Sequence, residues 1–264
     1  MKIALMDSGI GLLPTAAAMR RLRPDADLVL SSDPATMPWG PRTPEDVTER
    51  ALGCARAAAA HRPDALIVAC NTASVHALPA LRAELEPGLP VIGTVPAIKP
   101  AAAGGGPIAI WATPATTGSP YQRGLIRDFA DGVEVTEVAC PGLADAVQRA
   151  DTEGIDAAVA VAAARTPRDV TTVVLGCTHY ELVADRIRAA VQRPDAPPIV
   201  LHGSAGAVAA QALRRIGADP FPPDGPVTPG GLTVILSGDE AALPDAALTY
   251  AEGMLLAPVA PARG

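Results

Sequence analysis

The chain is poor in aromatic residues and in positive charge. Aromatics make up only 3% of its 264 residues, so a core has to be built from Ala, Val, Leu and Ile, which suits helices packed on parallel strands. The formal net charge is -7, and no basic residues cluster beyond the short run Arg20, Arg21 and Arg23. A surface that binds a phosphate backbone needs more positive charge than this, so we expect no nucleic acid among the partners.

Long apolar runs are also missing. No run approaches the length that spans a membrane, and Met1 and Lys2 lead into a strand-like segment rather than into the apolar region of a signal peptide. We therefore expect a cytoplasmic protein with no membrane partner. The four cysteines lie far apart with no CxxC pair, and a reducing compartment keeps them as thiols, which predicts neither a disulfide framework nor a metal site.

Short apolar runs, separated by Gly, Pro and Asp, are what the chain has instead. They predict buried strands at 2–6, 28–30, 65–69, 91–92, 108–111, 133–138, 172–175, 199–201 and 232–236. Helical segments alternate with them. The clearest begins with a capping residue, Thr43, and Pro44 at the first helical position, and runs to about His61. The alternation predicts an α/β fold with parallel sheets.

Two lobes are expected from the chain length and from one break in the pattern. Segment 100–107, with three Ala and three Gly, interrupts the alternation just before a new strand starts at Ile108. After a Pro-rich stretch that follows Asp219, the strand at 232–236 and a helix at 242–256 are too short for another domain, so we expect them to return to the first lobe. The predicted lobes are residues 1–96 with 205–264, and residues 97–204.

The two halves of the chain also resemble each other. Residues 2–7 are similar to 107–112, and residues 68–72 are similar to 175–179, at offsets of 105 residues from Ile3 and 107 from Cys70. Matches this short also arise by chance between α/β segments. If they reflect a repeat, they predict two pseudo-symmetric, doubly wound lobes whose parallel sheets face each other across a central cleft.

Cys70 and Cys177 are the candidate catalytic residues. Each follows a predicted buried strand and precedes a helical segment that opens with polar residues, which is the ligand-binding end of a parallel sheet. The dipole and free N–H groups of a helix N-terminus favour a thiolate, the form that a basic cysteine needs. The alternative for any cysteine is a buried structural thiol, and we assign Cys54 and Cys140, which lack this context, to that class.

Two loops bring further polar groups toward these cysteines. Asp7 and Ser8 precede a glycine-rich turn whose N–H groups and hydroxyl suit a ligand anion, although an Asp at a strand end is as often only a helix cap. The segment Pro38-Trp39-Gly40 is either an ordinary loop packed by its tryptophan or a wall of the cleft, with the glycine amide on a substrate carboxylate.

A histidine accompanies the second cysteine. His179 lies two residues after Cys177, where an imidazole can take up or supply the proton of the thiol. A lone histidine is more often structural, but this position favours a functional one. No such role is predicted for His61, His76 and His202.

These motifs together resemble the glutamate racemase family within the aspartate/glutamate racemase superfamily. They occur in the order and spacing typical of that family and span nearly the whole chain. The two cysteine motifs are specific, whereas the others are weak evidence alone. The matching segments are Asp7-Ser8-Gly9-Ile10-Gly11, Asp33 with Pro38-Trp39-Gly40, Ala69-Cys70-Asn71-Thr72-Ala73-Ser74, Pro96-Ala97-Ile98-Lys99, Ala112-Thr113 with Thr116 and Ser119, Gly176-Cys177-Thr178-His179-Tyr180, and Ser237-Gly238-Asp239.

The resemblance implies an amino-acid racemase that uses no cofactor, neither pyridoxal phosphate nor a metal. One thiolate removes the α-proton and the opposite thiol returns a proton to the other face. The implied acid/base pair is Cys70 and Cys177, with Asp7 assisting the first and His179 the second. The implied substrate-binding residues are Ser8, Pro38, Trp39, Gly40, Asn71, Thr72, Thr116 and Thr178. Glutamate is the implied substrate, for the supply of peptidoglycan precursors, and a homodimer is the implied assembly.

Four positions depart from the family pattern. Leu12 stands where the family usually has a second glycine, and Trp39, where it usually has tyrosine, is expected to reshape the pocket. The spacing from Thr116 to Tyr121 is one residue short. Gln148 occupies the position at which the family generally carries a glutamate. Because an amide cannot exchange a proton as a carboxyl group can, we expect turnover to suffer in one direction or the substrate to differ.

Other functions stay open on the sequence alone. An aspartate racemase, or a racemase of a specialised pathway, would use the same pair of cysteines; hydantoin racemase and arylmalonate decarboxylase relatives fit the first two loop motifs less well. A binding protein on a racemase scaffold would explain the loss of the glutamate at Gln148 but not the retention of both cysteines. A thiol redox protein would need the two sulfurs within bonding distance, which a cleft wide enough for an amino acid forbids.

Overall fold

The computed structural model describes residues 1–222 and 228–257. Within these residues, ten strands form two sheets. The strands are β1 (Lys2–Asp7), β2 (Asp27–Ser32), β3 (Ala65–Val68), β4 (Val91–Gly93), β5 (Ile108–Ala112), β6 (Val135–Ala139), β7 (Thr172–Leu175), β8 (Val200–His202), β9 (Leu232–Leu236) and β10 (Asp239–Ala241).

Helices alternate with these strands. They are α1 (Leu13–Leu22), α2 (Pro44–Ala59), α3 (Asn71–His76), α4 (Leu78–Leu85), α5 (Ile98–Ala103), α6 (Pro120–Phe129), α7 (Leu143–Gln148), α8 (Thr152–Arg165), α9 (Ala184–Val191), α10 (Ala205–Arg215), α11 (Asp245–Leu248) and α12 (Ala251–Leu256). Two short 3₁₀ helices, Ile10–Leu12 and Thr178–Val183, precede α1 and α9. No helix of the described ranges is both long and apolar enough to cross a membrane.

The two sheets share one strand order. The first runs β10-β9-β2-β1-β3-β4 and the second β6-β5-β7-β8, and every strand pair except β9 with β10 is parallel. Strands β2-β1-β3-β4 therefore correspond one to one with β6-β5-β7-β8. The predicted α/β class with parallel sheets is confirmed, and β3 and β7, which precede the two candidate cysteines, occupy equivalent places.

The core explains why the first strand is apolar from Ile3 to Met6. Alternate residues of β1 point to opposite faces of the sheet, so Ala4 and Met6 pack with one buried cluster while Ile3 and Leu5 pack with another. The second cluster continues into the other lobe, where it includes Trp111 of β5. One hydrophobic layer therefore lies between the two sheets, and burial on both faces favours continuous apolar runs.

The sequence predicted the bounds of some helices closely and those of others wrongly. The Thr43 side chain caps α2 by accepting the Asp46 N–H, and the helix ends two residues before the predicted His61. The predicted single helix over 242–256 is wrong. It is two short helices, α11 and α12, separated by an extended Tyr250 whose hydroxyl donates to the backbone oxygen of Val147 at 2.7 Å.

The C-terminal segment was expected to return to the first lobe, and β9 does pair in parallel with β2. Strand β10 was not predicted from the sequence, because all three of its residues are exposed and apolar and polar residues do not alternate along it. Of the Pro-rich stretch after Asp219, residues 223–227 lie outside the described residues, as do 258–264 of the first predicted lobe. The exact lobe limits, 1–96 with 205–264 and 97–204, stay a prediction.

Candidate active site

A cavity of about 230 Å³ opens at the carboxyl ends of the central strands of both sheets. Its lining includes every residue that the sequence predicted for the site. These are Asp7, Ser8, Pro38, Trp39, Gly40, Cys70, Asn71, Thr72, Thr116, Cys177, Thr178 and His179. The parallel sheets bring them together because loops that follow neighbouring strands meet at one edge.

Cys70 lies two residues after the end of β3 and is the residue that precedes α3, with an extended backbone conformation. The backbone N–H groups of Ser8, Thr72 and Ala73 lower the pKa of its thiol. These contacts favour a thiolate, but burial and the nearby Asp7 carboxylate oppose it more strongly, and the pKa of the Cys70 thiol is raised to about 12.

Cys177 occupies the equivalent place after β7, ahead of the second 3₁₀ helix. The backbone N–H of His179 lowers the pKa of the Cys177 thiol, but burial outweighs it and raises that pKa well above its usual range. The sequence-based expectation that helix N-termini lower both pKa values is therefore wrong, because burial raises both. Both cysteines rest as thiols because desolvation outweighs the donors.

Asp7 is fully buried at the end of β1. Its carboxylate accepts hydrogen bonds from the Gly9 N–H at 3.2 Å, the Ser8 hydroxyl at 3.0 Å and the Thr178 hydroxyl at 3.1 Å. Desolvation nevertheless raises the pKa of Asp7 from its usual 3.8 to about 7. A carboxyl group with that pKa can both hold and release a proton at neutral pH.

His179 connects the second cysteine to Gln148 at the end of α7. Its Nδ1 lies 4.0 Å from the Cys177 sulfur, and its Nε2 lies 3.0 Å from Oε1 of Gln148. The same Oε1 accepts the backbone N–H of Ile10 at 2.8 Å. Burial lowers the pKa of His179 to about 4, so the imidazole is neutral at physiological pH.

Three hydrogen bonds tie the two lobes together around the cavity floor. They join Thr178 to Asp7, the Asn71 amide Nδ2 to the backbone oxygen of Gly176 at 3.0 Å, and Ile10 to Gln148. Gly11 lies in the middle of this network, where a Cβ would come within 2.5 to 2.8 Å of side-chain atoms of Thr178, His179 and Asp7. The network explains why a glycine is needed there.

The mouth of the cavity lies between one loop from each lobe. A Cβ built on Gly40 of the first loop would lie 3.4 Å from the Cβ of Ala115 in the second, so the two loops nearly touch. Trp39 is 1% exposed, packs in the core and also lines the cavity. Its loop is therefore both packed by its tryptophan and a wall of the cavity. Thr116 stands on the opposite loop, its hydroxyl 3.2 Å from that of Thr113.

Several residues that line the cavity were not predicted from the sequence. They are Met37, Pro41, Thr113, Pro114, Ala115, Cys140, Pro141, Gly142, Ala144, Asp145 and Gly176. Cys140, assigned to a structural role, is 1% exposed and lines the cavity all the same. Cys140 and Asp145 follow β6, the neighbour of β5, so the rule that loops after adjacent parallel strands meet could have indicated them.

The residues that depart from the family pattern lie at different distances from the cavity. Leu12 is buried in the core shared by the lobes and does not line the cavity, whereas Trp39 does. Gln148 lies behind His179 and reaches the site through it. Within residues 1–222 and 228–257, no three His, Cys, Asp or Glu side chains are grouped so that they could hold a metal ion.

Comparison with known proteins identifies relatives of this chain. The Asp/Glu/hydantoin racemase family model matches residues 14–212. The chain is 36% identical to a glutamate racemase of Roseiflexus sp. (strain RS-1) over 222 residues, which cover 81% of each chain. It is 34% identical to a glutamate racemase of Pseudomonas putida (strain KT2440), over 91% of this chain and 90% of the relative.

A solved structure shares the fold as well. The glutamate racemase of Escherichia coli, crystallised with L-glutamate and the activator UDP-MurNAc-ala, superposes with a TM-score of 0.77 at 26% identity. The match covers 93% of this chain and 91% of that one. The two-lobe architecture is therefore shared with an enzyme that binds an acidic amino acid.

Proposed function

The chain belongs to the Asp/Glu/hydantoin racemase family, and we propose that it interconverts L- and D-glutamate without a cofactor. The observation that carries the proposal is the pair Cys70 and Cys177, which stand at the ends of equivalent strands, β3 and β7, and line one cavity. An α-carbon held between two thiols has a separate proton-transfer group for each of its faces.

The reaction moves one proton off the substrate and another onto it. A thiolate on one wall takes the α-proton and becomes a thiol, while the electron pair of the broken C–H bond stays on the substrate. The thiol on the other wall then donates its proton to the α-carbon and becomes a thiolate. Asp7, close to Cys70, and His179, beside Cys177, are the groups placed to exchange protons with the two sulfurs.

A small polar substrate suits this cavity. Its volume of about 230 Å³ is below the range of about 300–1,000 Å³ common for drug-sized ligands. Asn71 Oδ1 is buried and has no partner among the described residues, so it is available to accept a hydrogen bond from a substrate ammonium group. Hydroxyls of Thr72 and Thr116 and the amide of Gly40 can donate to carboxylates.

The wider biological setting rests on the same proposal. D-Glutamate made in the cytoplasm would supply peptidoglycan precursors, and the enzyme would act as a homodimer. Both statements follow from the resemblance to glutamate racemases. Sedimentation of the purified chain at micromolar concentration tests the assembly.

The substrate is tested by following optical activity. Purified protein is incubated without added cofactor with L-glutamate, D-glutamate, L-aspartate or D-aspartate, and circular dichroism is recorded until it stops changing. Loss of signal from both glutamate enantiomers, at least ten times faster than from aspartate, is the expected result. Faster loss from aspartate would assign the enzyme to that substrate, and no loss from any of the four would remove the racemase assignment.

Replacing Asp145 is expected to change the affinity for the substrate. It lines the cavity, and among the lining residues that the structure describes none is Lys or Arg. Its carboxylate therefore repels the two carboxylates of glutamate, and no cationic side chain of the described lining offsets this repulsion. We expect Asp145→Asn to lower the KM for glutamate about fivefold, equivalent to about 1 kcal/mol, with kcat little changed and the gain fading as salt is added.

Asp128→Asn provides the matched control, because Asp128 is exposed on α6 and does not line the cavity. The same change of charge there should leave KM within twofold. A rise in KM for Asp145→Asn would contradict the repulsion and indicate instead that Asp145 holds the substrate ammonium group.

A further inference from the structure

Gln148 makes two contacts that together determine the chemistry of its side chain. One atom of its terminal amide lies 2.8 Å from the backbone N of Ile10 and 3.0 Å from Nε2 of His179. A backbone N–H can only donate, so the amide atom that faces Ile10 has to be the oxygen. An amide oxygen has two lone pairs and can accept both hydrogen bonds.

The tautomer of His179 follows from this assignment. Because the Gln148 oxygen carries no proton, the hydrogen bond at 3.0 Å requires the proton on Nε2 of His179. The other ring nitrogen, Nδ1, then holds a lone pair. It faces the Cys177 sulfur at 4.0 Å, so the thiol proton has an acceptor there.

A Cys177 thiolate needs positive charge nearby, because burial raises the pKa of its thiol. An imidazolium beside Cys177 could add support, but the amide of Gln148 bears no charge to stabilise it. The Asp7 carboxyl group, which accepts the Thr178 hydroxyl, also lies near His179 around Gly11.

We propose that Gln148 is a positioning residue that holds His179 as the neutral tautomer protonated on Nε2, so that Cys177 rests as a thiol whose proton faces the Nδ1 lone pair. This rests on the proposed racemase function. When Cys177 acts as the donor, the α-proton goes to Cys70 in its thiolate form, and the Cys177 thiol gives its proton to the opposite face of the α-carbon. Before the next turnover in this direction, the Cys177 thiolate takes up a proton and the Cys70 thiol releases one.

Nitrogen NMR of the free protein tests the tautomer directly. With ¹⁵N-labelled histidine, long-range proton–nitrogen correlations distinguish a proton on Nε2, a proton on Nδ1 and the doubly protonated ring. The chain has four histidines, and the His179 signals are assigned by their loss in His179→Gln. We expect the Nε2–H pattern for His179 from pH 6 to pH 8. The Nδ1–H pattern or an imidazolium at pH 7 would overturn the proposal.

Thiol alkylation measures what Gln148 does to the cysteines. In Gln148→Glu a carboxylate replaces the amide, so an imidazolium at His179 and a thiolate at Cys177 become more favourable. Iodoacetamide labelling, followed by peptide mapping, should show Cys177 reacting about tenfold faster than in the wild type, equivalent to one pKa unit. The rate at Cys70 should stay within twofold and serves as the internal control.

Equal rates at Cys177 in wild type and Gln148→Glu would overturn the proposal. If that variant fails to fold, the spectrum of the wild type still decides the tautomer. Neither measurement uses a substrate, so a protein that shows the Nε2–H tautomer but racemises no amino acid would refute only the proposed function. The reverse result would refute only the role of Gln148.

Discussion

Replacing Cys70 or Cys177 by alanine is expected to lower kcat/KM for glutamate racemisation at least about 10³-fold, because each substitution leaves one face of the α-carbon without a proton-transfer group. The two losses should not multiply in the double variant, since both thiols are needed in the same turnover. The check is the initial rate from each enantiomer, measured with enough enzyme to detect a thousandth of the wild-type activity.

Cys54→Ala is the matched control for these variants. Cys54 is buried in α2, does not line the cavity, and holds the Ser31 hydroxyl through its backbone oxygen, which the substitution keeps. We expect activity within twofold of wild type and a loss of stability of about 1 kcal/mol. An alanine variant at Cys177 that retained more than a tenth of the activity would show that proton transfer on that face does not use the thiol.

Asp7→Asn is expected to lower kcat/KM about 10²-fold and at the same time to make the protein more stable above pH 7. Activity falls because an amide cannot exchange a proton with Cys70. In the wild type, the carboxylate form should produce a rise in kcat/KM as pH passes through about 7, the pKa of Asp7. That rise should be absent from the variant, and a pH–rate profile checks it.

The gain in stability follows from the raised pKa. The folded protein holds the Asp7 proton up to about pH 7, whereas the unfolded chain releases it near 3.8. Folding stability from this group is therefore greatest below about pH 4, falls as pH rises from 4 to 7, and is constant above that. Three pKa units amount to about 4 kcal/mol, an upper limit for the gain from Asp7→Asn.

Urea unfolding at pH 4.5 and at pH 8 measures the difference in folding stability between wild type and Asp7→Asn. The value at pH 4.5 is the internal control, because residue 7 is then nearly uncharged in the folded state of both proteins. A variant equally or less stable than wild type at pH 8 would contradict the raised pKa. A more stable variant with unchanged activity would separate Asp7 from the chemistry.

The family assignment and the position of both cysteines could be predicted because strand ends and glycine-rich turns leave local signals. The parallel sheets then bring Cys70 and Cys177 to one cavity without any further information from the sequence. What failed was the expected lowering of their pKa values. Helix dipoles are a local property, but the burial that outweighs them comes from segments far apart along the chain, such as Met6 and Trp39 in the cluster that holds Cys70, which no single segment reveals.

The role of Gln148 could not be predicted from a single segment of the sequence either. The sequence indicates only that an amide stands where the family generally has a carboxyl group. The second hydrogen bond of its oxygen comes from Ile10, 138 residues away along the chain. Asp145 was missed because it reaches the cavity from the first turn of α7, after β6, a segment that has no motif of its own. Strand β10 was missed because exposed residues show no alternation.

The position of deuterium early in the reaction tests the two-thiol account most directly. L-Glutamate is offered to the enzyme in deuterium oxide, and both enantiomers are separated and analysed by mass spectrometry before a tenth of the substrate has reacted. Two opposed thiols predict that the D-glutamate formed carries one deuterium at the α-carbon while the remaining L-glutamate still carries protium. D-Glutamate that retains the original proton would show that one group serves both faces, and would contradict the account.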